Sequence, residues 1–267
     1  MASGGFFKKL RILFLLFVLV IVAGDYWLTK LRTTDWDSPL RIVVYPINAD
    51  GSDVSANYIA DLDEAVFEPV ETFLAEESAD YELALKEPVT IAMGPVVKEL
   101  PPVPPPDRHP LKVMWWSLKM RFWVFSVDEY KGPPANIRMF VLYFDPAKNF
   151  RLNHSLGLEK GLIGVVNAYA SKTYAGKNNI VLCHEFLHTV GASDKYYIGT
   201  GEPVYPGGFV EPDKQPLYPQ QWAEIMAGVI PISKTEWVMP EKLVQTVIGY
   251  ETAREINWIQ ESGDSGS

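Results

Sequence analysis

His184-Glu185-Phe186-Leu187-His188-Thr189-Val190-Gly191-Ala192-Ser193-Asp194 is the stretch on which the reading of this chain turns. The residues before it, from Asn178, predict a helix ending near Thr189. On a helix, residues four apart differ by about 40° in azimuth and one turn in height, so His184 and His188 can aim both imidazoles at one ion. Glu185 projects beside them, too far round to be a comfortable ligand but within reach of a water on that ion, where a general base belongs. Two imidazoles leave a catalytic zinc site one protein ligand short. Asp194 would lie about 9 Å along the axis if the helix continued. Gly191 removes the difficulty, because a glycine just past the last turn can take positive φ, stop the helix and fold Ala192-Ser193-Asp194 back toward the ion. The Asp194 carboxylate is then expected about 2.0 to 2.2 Å from the metal.

Working outward, Arg41 to Ile47, Val89 to Val97, Ile137 to Phe144 and Gly161 to Ala170 predict strands, each bounded by Pro, Gly or Asn turn signals. Val54 to Glu77 has apolar residues at helical spacing, with a kink expected at Pro69. The run Leu100 to Pro106 (LPPVPPP) suits neither a helix nor a central strand. Beyond it Leu111, Trp115, Leu118, Phe122 and Phe125 fall on one helical stripe with Lys112, Lys119 and Arg121 interspersed, a pattern shared by interfacial helices and core-facing ones. Gly199 to Gly228 is rich in Gly and Pro and reads as irregular, and Pro240 to Ile256 as a closing helix. The expected fold class is α+β, with a twisted mixed sheet, an active-site helix and a small irregular C-terminal subdomain ending in a helix. The expected division is a membrane anchor or signal peptide over 1–28, a linker over 29–40, an N-terminal subdomain over 41–195, a C-terminal subdomain over 196–260 and a disordered tail over 261–267.

Residues 184–194 resemble the signature of the metzincin clan of zinc peptidases, HExxHxxGxxH, at every position but the last, where Asp194 stands as in snapalysin-type members. The resemblance implies a zincin-like fold, a Zn2+ cofactor held by His184, His188 and Asp194, and Glu185 as catalytic base. It also implies a methionine in a tight turn beneath the metal, for which Met226 in Glu224-Ile225-Met226-Ala227-Gly228 is the candidate. Gly161 to Ala170 looks like the clan's edge strand, which takes an extended substrate as an added strand. The activity implied is hydrolysis of a peptide or protein substrate, with Tyr196 or Tyr197 available to hold the oxyanion. A site with two His and one carboxylate supports hydrolysis in thermolysin-type enzymes as well. A third ligand from Glu211 or Glu224, with Asp194 behind it, is an alternative, and a non-catalytic metal-binding or partner-binding protein of zincin fold is another.

Composition limits the remaining possibilities. Net charge is −9, and the three cations Lys8, Lys9 and Arg11 precede the first acid, so the rest of the chain sets 21 basic against 33 acidic residues. That surface is a poor partner for nucleic acid. The single cysteine, Cys183, excludes an internal disulfide and a Cys-based zinc site, and reads as a small buried residue. Residues 1–24 place a basic patch before an uncharged run from Ile12 to Gly24, followed by Tyr26 and Trp27. A single-pass membrane segment with a cytoplasmic N-terminus is expected, with the catalytic part exported to a periplasm or the cell exterior, or secreted if the segment is cleaved.

Overall fold

The computed structural model describes residues 35–107, 109–159 and 161–259, together with Lys8, Arg11, Ile12, Leu13 and Leu16. Among these residues no helix is long and apolar enough to cross a membrane. This finding goes against the membrane-spanning segment, the membrane partner and the single-pass placement expected from residues 1–28. The uncharged run from Ile12 to Gly24 is thirteen residues, against about 20 for a hydrocarbon layer. Most of that run, residues 29–34 of the linker and the tail 261–267 lie outside the described residues.

The protein is α+β and is built on one mixed sheet. Strands β1 (Leu40–Asn48), β2 (Val89–Met93), β3 (Ile137–Phe144), β4 (Leu156–Leu158) and β5 (Ile163–Tyr169) lie in the order β2-β1-β3-β5-β4. The first four in that order are parallel, and β4 runs antiparallel to β5, with Gly157 opposite Gly164. The central strands are apolar almost throughout because helices cover both faces of the sheet. Ile42, Val44, Met139 and Val141 point to one face, where they meet Val70 and Phe73 of one helix and Ile180 and Leu187 of another. Val43, Tyr45, Phe140 and Leu142 point to the other, where they meet Met120, Val124 and Val127. Strand alternation thus divides the molecule into two cores.

On the first face lie α1 (Asp53–Ala60), α2 (Glu68–Asp80) and α4 (Ala175–Thr189); α3 (Pro110–Val127) covers the second. The single helix expected over Val54 to Glu77 is two. Asp63 interrupts it by accepting the Ala65 amide and starting a 3₁₀ turn at Glu64–Phe67, while Pro69 stands harmlessly in the first turn of α2. The closing helix is also shorter than expected: α5 spans Tyr250–Glu255. Upstream of it, the Gln245 side chain accepts the Glu241 amide and Thr246–Val247 pair with Ala223–Glu224, so the backbone is already committed elsewhere. The strand at Gly161 to Ala170 forms as β5, but it is not the edge. β4, unforeseen because three residues carry no periodic signal, lies outside it.

Candidate metal centre

Helix α4 carries His184, Glu185 and His188 past the sheet and stops where Gly191 requires. Gly191 has φ +111°, its amide donates to the His188 carbonyl at 3.3 Å, and the Ala192 amide donates to the Leu187 carbonyl at 3.0 Å. This pair of bonds is a Schellman termination, in which a glycine past the cap satisfies the last carbonyls and reverses the chain. The reversal brings Asp194 back to the histidines. His184 Nε2 and His188 Nε2 are 3.1 Å apart, and Asp194 Oδ1 lies 3.3 Å from the first and 3.1 Å from the second.

The remaining imidazole nitrogens show what those three atoms offer. His184 Nδ1 donates to the Ile225 carbonyl at 2.9 Å, and His188 Nδ1 donates to the Ala192 carbonyl at 2.8 Å. With a proton on each Nδ1, both Nε2 atoms present lone pairs, and they face each other and a carboxylate oxygen. Three acceptors converging without a donor repel unless positive charge sits among them. Ligands about 2.0 to 2.1 Å from a tetrahedral zinc ion stand about 3.3 to 3.4 Å apart, close to the triangle seen here. His184, His188 and Asp194 could therefore hold a metal ion, and they are the one such cluster among the described residues.

Electrostatics agree with the geometry. Burial alone would lower the His184 imidazole, but Asp194 and Glu185 outweigh it and push it up. Burial would raise Asp194, yet its two imidazole partners hold it well below the carboxylate range. Both tendencies have one cause, negative charge set against the imidazoles, and a cation among the three ligand atoms would satisfy it. Glu185 is raised by burial, with Asp194 adding to the effect and His184 and His188 opposing it.

Several supporting residues carry no recognisable signal in the sequence. Glu255 of α5 accepts the Ser193 amide at 2.8 Å, the Ser193 hydroxyl at 2.7 Å and buried Lys195 Nζ at 2.6 Å, holding both neighbours of Asp194. Burial would raise Glu255, but these bonds hold it down. Gly157 lets β4 approach α4: a Cβ there would stand 2.4 Å from the Glu185 carbonyl oxygen and 2.5 Å from His188 Cβ. Neither contact could be read from the chain, since each joins residues tens of positions apart through a short element.

The remaining candidates separate clearly. Met226 is fully buried in a tight turn closed by the Ala227 and Gly228 amides on the Glu224 carbonyl, and its own carbonyl accepts the Lys195 amide at 3.0 Å. The turn reaches the cluster through Ile225, whose carbonyl orients His184. Glu224 is not a ligand. Its carboxylate accepts the amides of Met226 and Ala227 and the Thr252 hydroxyl, all within the core. Glu211 is engaged with Lys214 at 3.1 Å. Tyr196 stands beside the cluster, its ring 6.5 Å from that of His184, and burial followed by the Asp194 charge raises its hydroxyl to about 12. Tyr197 is largely exposed. Cys183 is fully buried, and burial pushes its thiol far up, consistent with a packing residue. No protein-family model matches the chain, and no curated protein is significantly similar to it in sequence.

Proposed function

We propose that this protein is a zinc-dependent peptidase of metzincin type that hydrolyses peptide bonds with Glu185 as general base. The observation that carries the reading is the convergence of two imidazole lone pairs and one carboxylate oxygen within 3.1 to 3.3 Å of one another, beside a buried glutamate. Zinc, when bound, supplies a Lewis acid that polarises the scissile carbonyl and acidifies a water. Glu185 removes the proton of that water and returns it to the departing amine. Its burial moves its affinity for the proton toward neutrality, which suits a group that must both accept and donate. Tyr196, on the rim of the cluster, is the candidate donor to the oxyanion. The outer edge of β4 offers main-chain groups to an extended peptide.

A comparison of the wild type and Glu185→Gln, each loaded with zinc and exposed to a peptide library, tests this function. The variant should retain zinc while cleavage falls by at least about a hundredfold, the usual worth of a general base. Undiminished cleavage by the variant would contradict it.

A further inference from the structure

The helix α3 bears two apolar faces and only one of them is used. Met120, Val124 and Val127 pack against the sheet, and Trp116 is buried on the same side of the helix. Leu111, Met114, Trp115, Leu118, Phe122 and Phe125 are exposed, Phe122 at 73% and Phe125 at 83%. At 3.6 residues per turn these six fall within about 100° of arc, a continuous stripe along the whole helix. This is the stripe whose spacing suits a core, and the structure turns it outward. A folded chain rarely leaves so long an apolar row in water unless something covers it.

The flanks indicate what that is. Helical geometry puts Lys112 and Lys119 along one side of the stripe and Arg121 along the other, and α3 contains no acidic residue, in a chain whose net charge is −9. Lys119 Nζ reaches over the Trp115 ring, 5.7 Å from its centroid, and Lys112 pairs with Asp107 of the preceding loop at 2.5 Å. The Pro-rich loop is tied to the helix by Trp116 Nε1 donating to the Pro102 carbonyl at 2.8 Å. Between loop and helix runs a groove of about 660 Å³ lined by Val103, Trp115 and the two lysines among others. Aromatic and aliphatic side chains bordered by Lys112 and Lys119, with no acid on the helix, match the interface of an anionic lipid layer, where rings sink to headgroup depth and lysines meet phosphates.

We infer that the outer face of α3 docks the protein flat on an anionic lipid surface. The docking needs no helix that crosses the layer and is independent of the reading of the metal centre. Because α3 and α4 cover opposite faces of the sheet, the docked protein turns the metal centre away from the lipid.

The full chain with Phe122→Cys, labelled with an environment-sensitive fluorophore, tests the docking; the one native cysteine, Cys183, is fully buried and escapes labelling. A parallel label at Val244→Cys, exposed within the 3₁₀ turn Leu243–Gln245 that packs on α2 and α4, reports on the opposite side. With vesicles of phosphatidylglycerol and phosphatidylcholine, the label at 122 should shift to the blue and the label at 244 should not, and pure phosphatidylcholine should give a much weaker response. Adding Lys119→Gln should weaken the response at 122 roughly fivefold. No shift at 122, or a shift unaffected by Lys119→Gln, would overturn the proposal. So would a blue-shifted label at 122 without lipid. If that shift grew with protein concentration the cover would be a second copy, and if it did not, another segment of this chain.

Discussion

Glu255 grips Ser193 twice, through its amide and its hydroxyl, and so the last helix holds the residue next to Asp194. The same carboxylate takes the Lys195 ammonium, which keeps Asp194 between two anchored neighbours. A ligand positioned in this way contributes more to metal affinity than its own bond, because the loop needs no ordering when the ion arrives. Glu255→Ala should weaken zinc binding about 10- to 100-fold, as measured by competition with a chelating dye, while helix content stays near that of the wild type. An unchanged affinity would remove Glu255 from the support of the site.

Gly191 has a positive φ that a β-branched residue resists, at a cost of about 1 to 3 kcal/mol. Space is adequate, the nearest atom to an added Cβ being the Glu255 carbonyl oxygen at 3.4 Å, so the penalty falls on the backbone of the turn. Gly191→Val should lose zinc while a cooperative unfolding transition persists at lower temperature. A variant with full zinc content would show that the reversal does not depend on this conformation.

Gly157 presents the opposite case, with an unstrained backbone and no room. An alanine there would press on the Glu185 carbonyl oxygen and on His188 Cβ, and β4 would have to leave α4. Gly157→Ala should reduce both zinc affinity and peptide cleavage, with the larger loss in cleavage because Glu185 and the strand edge move together. Wild-type activity in this variant would show that β4 has no part in the site.

Under the turn that holds Met226, Glu77 accepts the Ile248 amide at 2.6 Å, and burial, followed by Asp80, Glu76 and Glu224, raises its carboxyl to about 7. A carboxyl whose proton affinity rises on folding favours the folded state while protonated. Its contribution is therefore present below its ordinary pKa of 4.5 and lost as the pH climbs through about 7. Glu77→Gln keeps an acceptor for the amide without the charge. Its melting temperature relative to the wild type should increase between pH 5 and pH 8, and a constant difference would contradict the assignment.

The sequence made the centre legible because its parts are local. The two histidines, their glutamate, the glycine and the aspartate lie within eleven residues, and helix geometry with one positive φ relates them. The central strands were legible for a similar reason, since a sheet covered on both faces leaves unbroken apolar runs between turn residues. The sequence pattern points to Gly161 to Ala170 as the edge because that segment has the stronger signal, whereas the three residues of β4 pair only through their place against it. The closing helix is shorter than its sequence signal because Pro240 opens a permissible helix, and nothing nearby in the sequence shows that Thr246 and Val247 are taken by β pairing. The exposed stripe of α3 could not be told from a core stripe, since spacing records that a face is apolar without recording what it faces.

Zinc content after dialysis against a weak chelator, compared between the wild type and Asp194→Ala, addresses the central claim most directly. Three converging ligands should leave about one ion on each wild-type chain, and removing the carboxylate should leave little or none. Equal zinc in the two proteins would show that Asp194 is not a ligand, and a wild type that takes up no zinc would show that the centre is not a metal site.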